Sequence, residues 1–352
     1  MDMLLSPRRR AFVQGLGAAS LLGACGASDG PRTSTVEFGG LAMGSAYRVK
    51  LAGSKLSHAL QAAASDAVAA AFAAVDLAMS THRPRSELSR FNAHTGTGPF
   101  ALSADTFSVF DLSQRVSAAT GGAFDVTVGP VVDAWGFGPG RQERIVSDAE
   151  AGVLERRVGW QLLSLDQKAG TITKARAHVR ADLSGIAKGY GVDKAAQALD
   201  ALGIEHYLID MGGEVRTRGR NPDGKPWQVA IEQPVAGPRR PRYVVPLSGL
   251  AMATSGDYRI FFEREGRRYS HEIDPATGRP IDNRLTSVSV VASTGALADA
   301  MGKLIVLGPQ KGYACAVAQG IAAHFIMREG DGRLVDLMTP AFAALGGMPF
   351  QA

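Results

Sequence analysis

Hydrophobic and polar positions along this chain change period several times, and each change marks an element. Tyr47, Val49 and Leu51 alternate with Arg48 and Lys50 directly after Met43-Gly44, which predicts a half-buried strand. From Leu60 the apolar positions Ala64, Val68, Ala71 and Val75 recur at helical spacing, predicting a long helix that Pro84 ends. A second helix is expected around Phe107 to Ala119, and Gly121-Gly122-Ala123-Phe124-Asp125 stops it. Gly129-Pro130 and Trp135-Gly136-Phe137-Gly138 then predict irregular backbone. A long, aromatic, glycine-rich connection of this kind in a compact domain is more often a binding loop than filler.

Beyond residue 140 the pattern reads as a charged helix and two short strands that lead to Asp182. From Ala181 to Gly213 the chain reads as loop, helix, strand and glycine turn. Ala187, Gly191, Ala195 and Ala198 lead to Leu202 at spacings of three and four, so one helical face is small enough for close approach to another element. Asp182 and Ser184, just before that helix, are placed to cap backbone N–H groups, and a helix start also suits anionic ligand groups. Gly203 is the expected stop, Tyr207-Leu208-Ile209 a strand, and Gly212-Gly213 a turn. An antiparallel series is expected next, at Glu214 to Thr217, Trp227 to Ile231, Tyr243 to Leu247 and Ser287 to Val291, with Asn221-Pro222-Asp223-Gly224 turning between the first two. The mixture predicts an α+β fold with antiparallel sheets and packed helices.

Length and charge refine this picture. The 352 residues suffice for one large domain or two intimately packed ones. Net charge is +5, of which Arg8, Arg9 and Arg10 against Asp2 supply +2, and the small remainder does not argue for nucleic acid. Arg9-Arg10 followed by an apolar, Gly- and Ala-rich run from Val13 to Ala24 reads as a signal peptide over residues 1–25, too short to span a bilayer. The twin arginine resembles the signal that exports folded proteins. Leu22-Gly23-Ala24-Cys25 resembles a bacterial lipobox, the alternative being an ordinary cleaved signal that contains a cysteine. Lipidation at Cys25 implies an anchor at the periplasmic side of the inner membrane. Residues 26–35 then form a tether and 36–352 the folded domain. Cys315, the other cysteine, is expected to be a small buried hydrophobe.

Polar groups that a core does not need gather at Ser80 to Asn92, Gly121 to Asp125, Thr254 to Tyr258 and His271 to Pro280. Asp299, inside the apolar helix predicted over Ala296 to Leu307, is expensive unless paired or bound to a cation. Dinucleotide, P-loop and HExxH fingerprints are missing.

Met43-Gly44, Met79-Ser80-Thr81 through Phe91-Asn92, GGAFDVTVGPVVDAWGFGP, ADLSGIAKGYGVD, ATSGDYR, HEIDPATGRP and ADAMGKLIVLG stand in the order found in the ApbE family, the FAD:protein FMN transferases, and the chain resembles that family over roughly residues 36 to 345. The resemblance implies a T-fold-like architecture and an enzyme that cleaves FAD with Mg²⁺ and joins FMN to a threonine or serine of a partner. That partner would be a flavin acceptor in a membrane electron-transfer complex. By position, Met43, Ala123, Phe124, Asp125, Asp182, Lys188 and Ile273 would line FAD. The Gly185 carbonyl and Asp299 would bind Mg²⁺, and His271 would be the base, supported by Asp257 and Asp274. His82 stands where the family usually has a tyrosine that could stack on adenine. Lys303 stands where a threonine usually ligates the metal, and a charged ammonium cannot do so. A non-catalytic FAD-binding lipoprotein is the alternative that Lys303 leaves open.

Overall fold

The computed structural model describes residues 35–139, 142–235 and 237–351, so the expected signal, the Cys25 anchor and nearly all of the tether lie outside the described residues. The described residues form a single compact unit.

Its centre is an eight-stranded antiparallel sheet. In chain order the strands that position the site are β1 (Thr35–Ala42), β2 (Ser45–Ala52), β3 (Tyr207–Met211), β4 (Glu214–Arg218), β5 (Trp227–Glu232), β6 (Pro241–Leu247), β7 (Ala251–Gly256), β8 (Phe261–Arg264), β9 (Arg267–Ser270), β10 (Leu285–Ala292), β11 (Ala322–Arg328) and β12 (Leu334–Met338). The main sheet runs β1-β2-β3-β4-β7-β10-β11-β12. Met43 and Gly44, both at positive φ (49° and 72°), close the two-residue turn between β1 and β2, as a hairpin of this length requires.

Alternation along the central strands feeds two cores. Ala251, Ala253, Val288, Val290, Ala323 and Phe325 point into a core shared with the helices, while Met252, Val291 and Ile326 point into another. The helices on the first side are α1 (His58–Met79), α2 (Glu87–Ala93), α3 (Ala104–Ala119), α6 (Ala187–Ala201), α7 (Gly295–Met301) and α8 (Gly308–Ala318); α4 (Gly129–Trp135) and α5 (Asp148–Glu155) pack beside the cavity described below. On the other side lies a small sheet of β5, β6 and Met348–Pro349. Val68 and Phe72 of α1, Val192 and Leu199 of α6, and Val49, Leu51 and Ile209 of the sheet form a further continuous apolar cluster. Although α1 is long and apolar enough to cross a membrane, Ala64, Val68, Phe72, Val75 and Met79 are buried in the fold.

Three expectations are corrected. First, α1 ends at Met79, before Pro84, because Ser80 turns to extended backbone. Second, the stretch expected to be irregular contains α4, started by Pro130 in its first turn and stopped by Gly136 at φ 87°. Third, the Asn221 to Gly224 turn forms, with Asn221 Oδ1 accepting from the Asp223 and Lys225 N–H groups, but it carries the chain out of the main sheet into the small one. Cys315 lies half-buried in α8, its thiol 3.5 Å from the Ala119 carbonyl oxygen.

Candidate functional site

A cavity of about 1200 Å³ opens between the helical side, the edge of the small sheet and the segments that flank the β8–β9 hairpin. Met43, His82, Ala123, Phe124, Asp125, Asp182, Gly185, Lys188, His271, Ile273, Asp299 and Lys303 all line it. These residues are far apart in sequence, so their convergence is a result of the topology. Asp257 and Asp274 do not line it. The Asp257 carboxylate turns toward Arg268, with one oxygen buried and unpaired. Asp274 closes an Asx turn, accepting from Ala276 N at 2.9 Å and Thr277 Oγ1 at 3.1 Å. Their expected support of His271 is therefore corrected: neither touches it.

The 181–185 segment is held from two directions. Asn92 brackets Ala181 with both amide atoms, accepting from its N–H at 2.7 Å and donating to its carbonyl at 2.8 Å. Asp182 N–H donates to the Val126 carbonyl at 2.6 Å, which fixes this loop against the Phe124 segment. Asp182 caps Ser184 within the turn, rather than the helix. No side chain of the residue preceding α6 caps that helix; Asp299 of α7 does so across the interface, its Oδ2 accepting from Gly189 N–H at 2.9 Å. Asp193 of α6 returns the arrangement, accepting from Gly295 N–H at 2.7 Å and Ala296 N–H at 2.9 Å at the start of α7. Two helix starts thus exchange carboxylate caps, and each carboxylate faces the positive end of the other's dipole.

Asp125 lines the wall, yet both its oxygens are engaged within the protein, with Thr127 N and Oγ1 at 2.7 and 2.6 Å and Trp160 N at 2.8 Å. Burial pushes its carboxyl above the ordinary value against the pull of those donors. It is a brace for the Phe124 wall. His82 is exposed at the rim.

The floor carries charge. Lys188 Nζ donates to Glu214 Oε1 at 2.6 Å, and Lys303 Nζ to Glu272 Oε2 at 2.5 Å. Asp299 lies between these pairs; burial raises its carboxyl, opposed by Lys188, the Gly189 N–H and Lys303. Glu214 is pushed up to about 7 by burial against the Lys188 charge, and its Oε2 is buried without a hydrogen-bond partner. His271 stands on the wall with Nδ1 3.1 Å from the Ile260 carbonyl. Since a carbonyl only accepts, Nδ1 carries the proton and Nε2 keeps its lone pair. Burial lowers this imidazole below 6.5, the nearby Glu272 carboxylate opposing, so the ring is a neutral base near pH 7. Phe137 meets its ring edge-on at 6.4 Å, which ties the glycine-rich segment to the base.

Sequence reasoning gave Glu214 and Glu272 no role. A glutamate beside a histidine has no periodic signature, and the Lys303 partner lies 31 residues away.

Among the described residues no three His, Cys, Asp or Glu side chains gather closely enough to cage a metal ion. Gly185, Asp299 and Glu214, whose Oε2 is buried without a partner, are among the residues that line the cavity and could offer oxygen ligands. They fit a hard cation shared with ligand phosphates and water. Lys303 is no ligand: its ammonium has no lone pair and is engaged by Glu272.

An α+β scaffold with a large cleft that combines apolar walls with lysine–carboxylate pairs defines a binder of a large ligand with apolar and polar parts. The comparisons make this specific. The ApbE family model matches residues 43–325, and the chain belongs to the ApbE family. It is 40% identical over 306 residues to the FAD:protein FMN transferase of Haemophilus influenzae, covering 85% of this chain and 88% of that protein. With the FAD:protein FMN transferase of Vibrio cholerae it shares 44% over 256 residues, covering 72% and 76%. The solved flavin transferase ApbE from Vibrio cholerae superposes with a TM-score of 0.80 at 39% identity, over 89% of this chain and 99% of that one.

Proposed function

We propose that this protein is an FAD:protein FMN transferase. FAD enters the cavity, a hydroxyl oxygen of a partner protein forms a bond to the FMN phosphorus, the P–O bond of the diphosphate bridge breaks, and AMP leaves. The observation that carries this reading is the placement of His271 on the wall of the same cavity that Lys188, Lys303 and Asp299 line. That is a base for the incoming hydroxyl above a floor whose two lysines, each braced by a glutamate, can meet the diphosphate.

The chain's own residues divide the work. Phe124 and Ile273 offer apolar surface to the flavin dinucleotide, while Lys188 and Lys303 face its phosphates. His271 takes the proton from the attacking oxygen. Gly185 and Asp299 would hold Mg²⁺, which when bound neutralises charge on the diphosphate as it divides. The acceptor is a threonine or serine of a redox protein in a membrane complex. Arg9-Arg10 and the Leu22 to Cys25 sequence support export and a lipid anchor on the periplasmic side.

Incubating the protein with FAD and a threonine-bearing acceptor, with Mg²⁺ or with EDTA, tests this. FMN-modified acceptor and released AMP, measured by mass spectrometry and dependent on Mg²⁺, are expected. Retention of FAD with no adduct under either condition would instead make the chain a non-catalytic FAD-binding protein.

A further inference from the structure

Lys303 sits just past the end of α7, where the α-helix gives way to a tighter turn over Gly302–Leu307. Its stem runs beside Gly185: a methyl group there would come within 3.2 Å of Lys303 Cε, so the missing side chain leaves room for the lysine. The ammonium is not free to sweep the cavity, because Glu272 Oε2 accepts from it at 2.5 Å. Glu272 is itself immobilised. Its N–H donates to Ser270 Oγ at 3.0 Å, its carbonyl accepts from Ile281 N–H at 2.8 Å, and its side chain is 2% exposed. The other carboxylate oxygen stands 3.6 Å from His271 Nε2.

A buried ion pair is a poor source of stability, since desolvating both charges offsets most of their attraction. This pair is also asymmetric: the carboxylate is sealed in while the Lys303 side chain keeps 23% of its surface toward the cavity. An ammonium has three donors. One is used by Glu272, and the side chain lines the cavity in which the proposed function seats a dinucleotide.

We propose that Glu272 is a positioning residue of the flavin site, fixing the Lys303 ammonium on the cavity floor so that its remaining N–H groups meet the FAD diphosphate. Lys303 is thereby a diphosphate-binding residue, held in place before the ligand arrives, and its contribution to FAD binding does not require a divalent cation. A lysine on a flexible four-carbon stem would otherwise lose rotamer freedom on binding; anchoring it beforehand removes that penalty. The inference rests on the cavity being the FAD site.

A double-mutant cycle on the whole protein tests it. FAD dissociation constants are measured by flavin fluorescence in EDTA and in Mg²⁺ for the parent, E272Q, K303M and the double variant. Each single change is expected to weaken binding by about tenfold to a hundredfold in EDTA, as loss of a charge-assisted hydrogen bond does. The double variant should bind no more weakly than K303M. In steady-state transfer, the KM for FAD should rise more than kcat falls. Additive losses, or an unchanged affinity in E272Q, would overturn the proposal. Should E272Q leave Lys303 uncompensated and fail to fold, the double variant carries neither charge. Its agreement with K303M would uphold the coupling, and a clearly weaker double variant would overturn it. A parent protein that binds no FAD would sink the proposed function; a parent that binds FAD, with variants no different, would sink only the pairing of Glu272 and Lys303 as a diphosphate seat.

Discussion

Replacing Gly189 by alanine puts a methyl group where α6 crosses α7. The new carbon would lie 2.2 Å from the Gly295 carbonyl oxygen, 2.5 Å from the carbonyl carbon and 2.7 Å from Asp299 Cβ. Two of these atoms are backbone and the third is the root of a buried side chain, so the helices must part. Overpacking of this kind costs about 1–3 kcal/mol. Stretching the Gly189 N–H···Asp299 bond forfeits about 1.5–3 kcal/mol more, and alanine's better helix propensity returns about 1 kcal/mol. The net loss is about 1.5–5 kcal/mol, roughly a 2–8 °C fall in Tm for a domain of this size. Because Asp299 also belongs to the cavity floor, FMN transfer should drop at least tenfold, a loss of about 1.4 kcal/mol or more of transition-state binding. Calorimetry and the acceptor-modification assay on the same preparation read both effects. A G189A protein melting within about 1 °C of the parent and transferring at the parental rate would refute the close crossing and the shared role of Asp299.

His271→Ala should lower transfer by about 10²–10⁴-fold while FAD affinity stays within about twofold, since the imidazole acts on the acceptor hydroxyl. With its pKa held below 6.5, the acid limb of the transfer rate should fall below pH 6.5; a limb above that value counts against His271 as the base. Asn92→Ala removes both bonds to Ala181, so it should lower stability by about 1–3 kcal/mol and weaken FAD binding through the loosened 181–185 loop; equal flavin affinity would count against that link. Burial alone would raise Asp336, but the His324 bond and Arg242 hold it at about 2. Its contribution to stability is complete above the unfolded carboxyl value near 3.8 and is lost as pH falls from there toward 2. The Tm gap between parent and D336N should therefore be widest near neutral pH and close in acid.

The elements carried by period were legible: alternation from Tyr47 to Leu51 gave β2, and the small face from Ala187 to Ala195 gave a helix whose Gly191 lies against Phe72 of α1, while the contact with Gly295 of α7 is made by Gly189, outside that face. Turn residues showed where the chain bends but not which sheet receives it, so the departure of β5 from the sheet that holds β4 was invisible at Asn221 to Gly224. Asp299 could be singled out because a carboxylate in an apolar helix needs a reason. Asp257 and Asp274 misled because their neighbours in sequence face the cavity while their own carboxylates point to Arg268 and to a local turn. Glu214 and Glu272 escaped notice because their meaning lies in lysines that folding brings to them.

The cavity's walls come from segments between Met43 and Lys303. A nascent chain halted before α7 would own most of the walls but lack Asp299 and Lys303, and could give a flavin nucleotide no seat. A molecule that carries both residues gains thermal and proteolytic protection from the ligand, rising with the logarithm of its free concentration. A product cut short before α7 is therefore expected to show no such protection.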